Sequence, residues 1–256
     1  MPWDFVLILF LLGVLLPWRG TVRLRRVLTA RELSSADRLA IYASTIAFQW
    51  AAAATVAWRT QARGVTPAAL GLAVPDATHV VATTAGLTLI AVFVPIASLR
   101  RLESARPGEH STLRAMVETL MPHNPLELAV FVALAITAGL CEEFLYRGFV
   151  YAVFAEVTSG SSWFAIAISA AFFAVAHLYQ GPRSLLTTFL VGVALGAARE
   201  WTGSLLPGMV AHFVADLTAG VAAQAKLARG RFRVETRNDP EQRTGQRPWN
   251  TAGDYN

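Results

Sequence analysis

Residues 126–154 read LELAVFVALAITAGLCEEFLYRGFVYAVF, and this stretch decides the fold class. Up to Leu140 its only charged side chain is Glu127. A helix needs about 20 mostly apolar residues to cross the hydrocarbon core of a bilayer, so the stretch is long enough to do so. It also carries Glu142, Glu143 and Arg147 at membrane depth, where an ionisable group costs several kcal/mol and is seldom kept without a partner or a role. The stretch therefore predicts a membrane helix that carries a polar site.

The composition of the whole chain agrees with a bilayer environment. Of the 256 residues, 54% are hydrophobic and 15% are charged, and the mean hydropathy is +0.45. The net charge of +5 comes from arginines in short clusters between apolar runs. Because these clusters do not follow one polar face, we interpret them as topology signals and predict no nucleic-acid partner.

Apolar runs of spanning length recur along the chain, and we count about seven. They are Trp3–Trp18, Leu39–Trp58, His79–Ser98, Leu126–Phe154, Trp163–Leu178, Leu185–Ala198 and Leu205–Ala223. The first and sixth are short, which is typical of tilted, interfacial or re-entrant segments. The prediction is an all-α, polytopic transmembrane helix bundle with a polar active-site cavity inside it.

The chain divides into three parts on this basis. Residues 1–125 supply N-terminal transmembrane helices and basic loops, and residues 126–223 form the core that carries the polar clusters. Residues 224–256 are a basic tail with few large apolar side chains, which we expect to be disordered. The first run opens with Asp4 and lacks a basic leader or a cleavage site, so we expect it to be retained as a membrane helix.

Basic residues follow the first, third, fifth and seventh runs. They are Arg19, Arg23, Arg25, Arg26, Arg100, Arg101, Arg106, Arg114, Arg183, Lys226, Arg229, Arg231 and Arg233. Since basic residues favour the cytoplasmic side, the prediction is a multi-pass protein of the cell membrane with its N-terminus outside and its C-terminus in the cytoplasm.

Two further polar clusters interrupt the apolar runs. Phe173 and His177 share a helix face near the end of the fifth run, and His212 and Asp216 share a face of the seventh. With 1.5 Å of rise per residue, Glu142, His177 and His212 all lie roughly 13 to 25 Å below the outer surface. They are therefore expected to be able to meet at one depth.

Each cluster also has a purely structural interpretation. Glu143 and Arg147 are four residues apart and can form an ion pair along one helix face. His177 can be a hydrogen-bonded core residue, and His212 with Asp216 can clamp two helices together. Glu142 points about 100° away from Glu143, so the two carboxylates need not share a role. Three such clusters at one depth favour a shared active site over three separate structural pairs.

In this order the motifs resemble those of the CPBP intramembrane proteases, the group that contains the type II CAAX prenyl endopeptidases and the bacterial Abi-type immunity proteins. The family pattern is a glutamate pair with an arginine four beyond the second glutamate, then Phe-x-x-x-His, then His-x-x-x-Asn or Asp. Here it reads Glu142-Glu143 with Arg147, Phe173 with His177, and His212 with Asp216. The resemblance covers roughly residues 126–223.

The resemblance implies an endopeptidase in which Glu142, assisted by His177, deprotonates a water that attacks the scissile carbonyl. His212 and Asp216 would support the oxyanion, while Glu143, Arg147 and Phe173 would support the site structurally. An ionised aspartate can only accept hydrogen bonds, so an alternative role for Asp216 is to orient His212. The implied partners are the lipid bilayer and a membrane protein or membrane-associated peptide as substrate.

The family mechanism requires no cofactor, but the residues leave other functions open. Glu142, His177 and His212 are also a possible zinc set with an open water position, as in metalloproteases, although no His-Glu-x-x-His pattern is present. Two more alternatives are a non-catalytic Abi-type immunity or scaffold protein and a proton-coupled transporter. Cys141, the single cysteine, is interpreted as a small packing residue.

Overall fold

The computed structural model describes residues 1–29, 33–104 and 111–230. The structure is 85% helical, and the described residues form no strands, which confirms the predicted all-α class. Arg106 and most of the predicted tail, including Arg231 and Arg233, lie outside the described residues.

The described residues form eight helices, joined by turns and short loops. They are α1 Trp3–Thr29, α2 Ser35–Ala62, α3 Ala77–Ser104, α4 Ser111–Leu120, α5 Pro125–Val157, α6 Ser162–Ala176, α7 Pro182–Thr202 and α8 Leu206–Ala228. Two of them contain a wider π-helical turn, at Leu11–Leu15 in α1 and at Phe144–Val150 in α5. A short 3₁₀ turn, Leu178–Gln180, joins α6 to α7.

Polar side chains cap the N-termini of three long helices. Ser34 and Asp37 form a reciprocal capping box at the start of α2. Asn124 accepts a hydrogen bond from the Glu127 amide at the start of α5, and Asp76 accepts from the amides of Thr78 and His79 at the start of α3. The hydrogen bond from the His79 amide, together with that from Thr78, lowers the pKa of the Asp76 carboxyl.

Five of the helices, α1, α2, α3, α5 and α8, are long and apolar enough to cross a membrane. Helix α6 is apolar but has only 15 residues, about 22 Å at 1.5 Å per residue, which is shorter than the hydrocarbon core. Helix α7 is long enough but less apolar, because it contains Arg199 and Glu200. The chain is thus a multi-pass membrane protein, while the count of seven spans stays a prediction.

Ion pairs and hydrogen bonds between the helices show how they run relative to one another. Asp4 at the start of α1 pairs with Arg59 and Arg63 around the end of α2, so these two helices are antiparallel. Arg38 near the start of α2 makes two hydrogen bonds to the buried Glu127 near the start of α5, so α2 and α5 are parallel.

Helix α5 lies at the centre of the bundle. It packs against α2 and α8, and its π-helical segment also packs against α6. Phe144, Leu145 and Phe149 of this segment join Phe5 of α1 and Leu205 in the largest buried apolar cluster. Helix α3 lies on the other side of α8, and α7 packs on α6. The central position of α5 brings its polar side chains into contact with several neighbouring helices.

Most helices extend beyond the predicted runs, and the longest extension is in α1. The first run was predicted to end at Trp18 and to be followed by a basic loop, but α1 continues to Thr29, so Arg19, Arg23, Arg25 and Arg26 are helical. Apolar content alone does not end a helix, and the basic segment contains Leu and Arg, which are good helix formers. At the other end, α8 runs to Ala228, five residues into the segment assigned to the tail.

Candidate active site

The two adjacent glutamates of α5 have different surroundings. The side chain of Glu143 is 1% exposed and that of Glu142 is 16% exposed. Because successive residues of a helix point about 100° apart, Glu142 faces α2 and the end of α6 while Glu143 faces α8. Of the two side chains, that of Glu142 is therefore the more exposed.

Glu143 holds a buried cluster together. Its Oε1 accepts a hydrogen bond from Nη1 of Arg147 at 2.9 Å and lies 3.0 Å from Nδ1 of His212. A Cβ added at Gly208, one turn before His212 on α8, would lie only 2.9 Å from the other carboxylate oxygen, Oε2. The absence of a side chain at Gly208 thus lets α8 approach Glu143 closely enough for His212 to reach it.

The π-helical turn follows Glu143 directly and places Arg147 against α6. The guanidinium of Arg147 is fully buried and lies 4.0 Å from the centre of the Phe173 ring, a cation–π geometry. Ser169 of α6 donates a hydrogen bond to the carbonyl of Tyr146 within this turn. π-helical turns are rare and often occur at functional sites, because they change the direction of side chains along a helix.

The Phe173 ring lies between the two histidines. Its centroid is 4.5 Å from that of His177 and 5.8 Å from that of His212. Phe173 therefore links the side chains of α6 and α8 in one layer. The structure brings together all of the residues predicted for the site within this layer and its immediate neighbours.

His177 is the C-cap residue that follows α6, and it faces Glu142. Its Nδ1 lies 2.8 Å from the carbonyl oxygen of Phe173, which can only accept a hydrogen bond, so Nδ1 carries the proton. In the neutral ring Nε2 is then an acceptor, and it lies 3.8 Å from Oε2 of Glu142. This separation exceeds a direct hydrogen bond. Both atoms can therefore accept hydrogen bonds from a molecule placed beside them.

Gln49 of α2 is the polar neighbour that the sequence analysis missed. Its Nε2 donates a hydrogen bond of 2.6 Å to Oε1 of Glu142. The other oxygen, Oε2, is buried and accepts no hydrogen bond from the described residues. The signal in the sequence is a neutral glutamine inside an apolar run, whereas the predicted polar clusters were built on ionisable residues. Gln49 orients the carboxylate so that Oε2 faces His177.

Asp216 contributes less directly to the site. Its side chain is 38% exposed, and its Oδ2 lies 3.7 Å from Nε2 of His212, beyond hydrogen-bonding distance. The side chain that bonds to His212 is Glu143, which the sequence analysis had paired with Arg147 alone. The roles predicted for Asp216, in orienting His212 or in supporting an oxyanion, stay predictions. Cys141, beside Glu142, is buried in the apolar core.

The positions of the possible ligands bear on the zinc alternative. No group of three His, Cys, Asp or Glu side chains in the described part of the chain is arranged so as to hold a metal ion. Glu142 and His177 face each other, but Nδ1 of His212 is bonded to Glu143. The described residues as placed do not fit the predicted zinc set.

The fold defines the chain as a multi-pass helical membrane protein. A comparison of the chain with models of protein families shows which family of membrane proteins its core is similar to. Residues 124–218 match the family model described as Type II CAAX prenyl endopeptidase Rce1-like, which represents a family of membrane-embedded peptidases. The resemblance seen in the motifs is thereby confirmed over these residues. The match extends from the N-cap of α5 to just beyond Asp216 and leaves out Gln49. No curated protein and no solved structure matches the chain significantly.

Proposed function

We propose that the protein is an intramembrane endopeptidase that hydrolyses a peptide bond with a water activated by Glu142. The observation that carries the proposal is the placement of Oε2 of Glu142 3.8 Å from Nε2 of His177, with both side chains partly exposed. A carboxylate and an imidazole that face the same space can bind one water between them. Glu143, although adjacent, is enclosed by Arg147 and His212 and serves structure instead.

In the proposed reaction, Glu142 acts as the base and His177 orients the water. Oε2 of Glu142 takes a proton from the water, and the resulting hydroxide attacks the carbonyl carbon of the scissile peptide. Nε2 of His177 accepts the second hydrogen bond of the water and orients it. The protonated Glu142 then gives its proton to the amine that leaves as the tetrahedral intermediate collapses. General base catalysis of this kind contributes roughly 10²- to 10⁴-fold to a rate.

His212 and Asp216 are proposed to stabilise the oxyanion side of the intermediate. Nδ1 of His212 is bonded to Glu143, so the ring is held and its Nε2 is directed away from Glu143 and toward the side of Asp216. Because the Glu143 carboxylate can only accept, Nδ1 carries a proton, and Nε2 can donate to the developing negative charge when the ring is the imidazolium, protonated on both nitrogens. The carboxylates of Glu143 and Asp216 on the two sides of the ring favour this charged form. Preorganised donors of this type are effective because they need no rearrangement during the reaction.

The proposed substrate is a membrane protein or a membrane-associated peptide, because the site lies within the helices that cross the bilayer. The proposed location is the cell membrane, with the N-terminus outside and the C-terminus in the cytoplasm. The family description adds CAAX prenyl peptides as a substrate class to be tested. The substrate panel therefore contains a farnesylated peptide with a CAAX ending, its unmodified form and an unrelated transmembrane peptide.

The test is cleavage of this panel by the full-length protein in nanodiscs, with product masses determined by mass spectrometry. Glu142→Gln is expected to lower kcat by at least roughly 10²-fold, because the amide cannot accept the proton. Glu156→Gln is the matched control, since Glu156 is an exposed carboxylate near the end of the same helix. Its activity is expected to stay within twofold of the parent protein.

Two outcomes would contradict the proposal. Equal cleavage by the parent and by Glu142→Gln would remove the catalytic role, and a cellular function that survives this substitution would favour the non-catalytic scaffold. The second outcome concerns a bound metal. The purified protein is analysed for zinc, and its activity is assayed with and without a chelator. Stoichiometric zinc together with loss of activity on chelation would replace the glutamate mechanism with the metalloprotease alternative.

A further inference from the structure

A groove of about 730 Å³ separates the C-terminal part of α1 from the N-terminal part of α2. Its α1 side contains Arg19, Arg23 and Arg26, which follow one another at helical spacings of four and three residues and so lie on one face. Leu16 of α1 and Phe48 of α2 supply apolar walls. The groove thus combines a row of positively charged side chains with apolar walls.

The charges in the groove differ from those elsewhere in the bundle. Arg38, Arg59, Arg63 and Arg147 each pair with a carboxylate of another helix or of their own. Among the described residues, no carboxylate pairs with Arg19, Arg23 or Arg26. Within this row, Nη2 of Arg23 instead donates a hydrogen bond to the hydroxyl of Ser44 across the groove. The positive charge of these three arginines is therefore available to an anion from outside the bundle.

The groove begins where the apolar part of α1 ends. The apolar part of α1 runs from Trp3 to Trp18, about 24 Å at 1.5 Å per residue. Trp18 is exposed, as is typical of tryptophans at a membrane–water interface. With Trp18 at this interface, the three arginines that follow it lie on the headgroup side and Leu16 lies on the hydrocarbon side.

We propose that this groove binds one anionic phospholipid of the surrounding bilayer. The phosphate and acidic headgroup would lie among Arg19, Arg23 and Arg26, with Ser44 holding the Arg23 guanidinium in place. The acyl chains would extend along Leu16 and Phe48 toward the membrane centre. The lipid is favoured over a soluble anion because charged and apolar surfaces adjoin in the order that a phospholipid presents them. The proposal does not depend on the proposed peptidase activity.

Three variants of the full-length protein separate a specific site from general attraction of basic residues to acidic lipids. Arg23→Gln removes a groove charge. Arg25→Gln removes the same charge two residues away, where the exposed side chain does not line the groove. Gly20→Leu keeps every charge but fills the groove, and a side chain at Gly20 meets no atom of the protein within 4 Å at its Cβ. Gly20→Leu is therefore expected to leave the fold intact.

The measurement is native mass spectrometry of delipidated protein titrated with phosphatidylglycerol or with phosphatidylcholine of the same acyl chains. Circular dichroism confirms the helical content of each variant. The parent is expected to bind one phosphatidylglycerol at least roughly fivefold more tightly than phosphatidylcholine, because each basic residue near an anionic lipid contributes about that factor. Arg23→Gln is expected to lose roughly fivefold in affinity, and Gly20→Leu to lose the bound lipid. Arg25→Gln is expected to change affinity less than twofold.

Three results would overturn the proposal. Equal losses in Arg23→Gln and Arg25→Gln would show diffuse attraction without a site. Unchanged lipid binding by Gly20→Leu would place the lipid elsewhere on the protein. Equal affinity for the two lipids, together with binding of an acidic peptide that Gly20→Leu abolishes, would assign the groove to a peptide instead.

Discussion

Helices α5 and α3 are both apolar enough to cross a membrane, but they differ in what surrounds them. Half of the most apolar window of α5 is buried inside the protein, against 11% of that of α3. The polar side chains Glu127, Glu143 and Arg147 of α5 all contact other protein groups. In α3 the ionisable residues Arg100, Arg101 and Glu103 lie at the end of the helix instead. Charges occur at membrane depth where neighbouring helices can pair them, because lipid cannot.

The largest expected effect on stability comes from removing the central charge of α5. Arg147→Met would leave Glu143 buried without its guanidinium partner, and breaking a buried ion pair in this way costs about 3–5 kcal/mol. Arg101→Met is the matched control on α3, where the side chain is exposed and a change within about 0.5 kcal/mol is expected. Thermal unfolding in detergent measures the stability of both variants. Equal melting temperatures for the two variants would show that α5 is no more enclosed than α3.

A pair of glycine substitutions tests the same difference without a change of charge. Gly139→Ala on α5 would place a Cβ 2.8 Å from the carbonyl oxygen of Met209 on α8, while a Cβ at Gly86 on α3 meets nothing within 4 Å. We expect Gly139→Ala to destabilise the fold by about 1–3 kcal/mol through overpacking. Gly86→Ala should stabilise it by up to about 1 kcal/mol, because alanine is the better helix former. Unfolding curves that move in the same direction for both would contradict this expectation.

The third prediction concerns the contribution of α2 to the surroundings of α5. Gln49→Leu removes the hydrogen bond to Glu142, and a hydrogen bond to a charged group is worth about 1.5–3 kcal/mol. We therefore expect kcat to fall roughly tenfold or more, with KM within twofold, because Gln49 contacts the base and not the substrate. Gln61→Leu, at the exposed end of the same helix, is the control. A change in KM alone would place Gln49 in substrate binding instead.

The smallest effect is expected at the start of α3. Asp76→Ala removes the side chain that caps this helix, and the amides of His79 and Thr78 hold the pKa of Asp76 below its ordinary value of 3.8. Because the folded chain has the lower pKa, this contribution is full above pH 4 and is lost as the pH falls through the folded value. The melting temperatures of the parent and Asp76→Ala should differ at pH 7, and the difference should shrink as the pH falls below 3.8 through the lowered folded pKa. A difference that persists at low pH would show that the cap does not depend on the charge.

Much of the site was predictable because its residues have spacings that a helix converts directly into contacts. Glu143 and Arg147 are four apart and do pair, and His212 lies at the depth that brings it to α5. The contact between His212 and Glu143 was not predictable, since it depends on how closely α8 approaches α5 at Gly208. Gln49 was missed because its partner lies 93 positions further along the chain.

The sequence by itself determined the membrane environment, the helical class and the set of polar site residues. These properties depend on the length of apolar runs and on residue spacing, both of which are local features of the chain. Only the tertiary structure decided which glutamate is the more exposed. Glu142 and Glu143 are neighbours of the same chemical type, and the helical spacing that pairs Glu143 with Arg147 does not show which carboxylate the other helices enclose. Packing of α8 encloses Glu143, while the short helix α6 ends just before His177, beside Glu142. The difference arises from the positions of other helices, which neighbouring residues in the sequence do not specify.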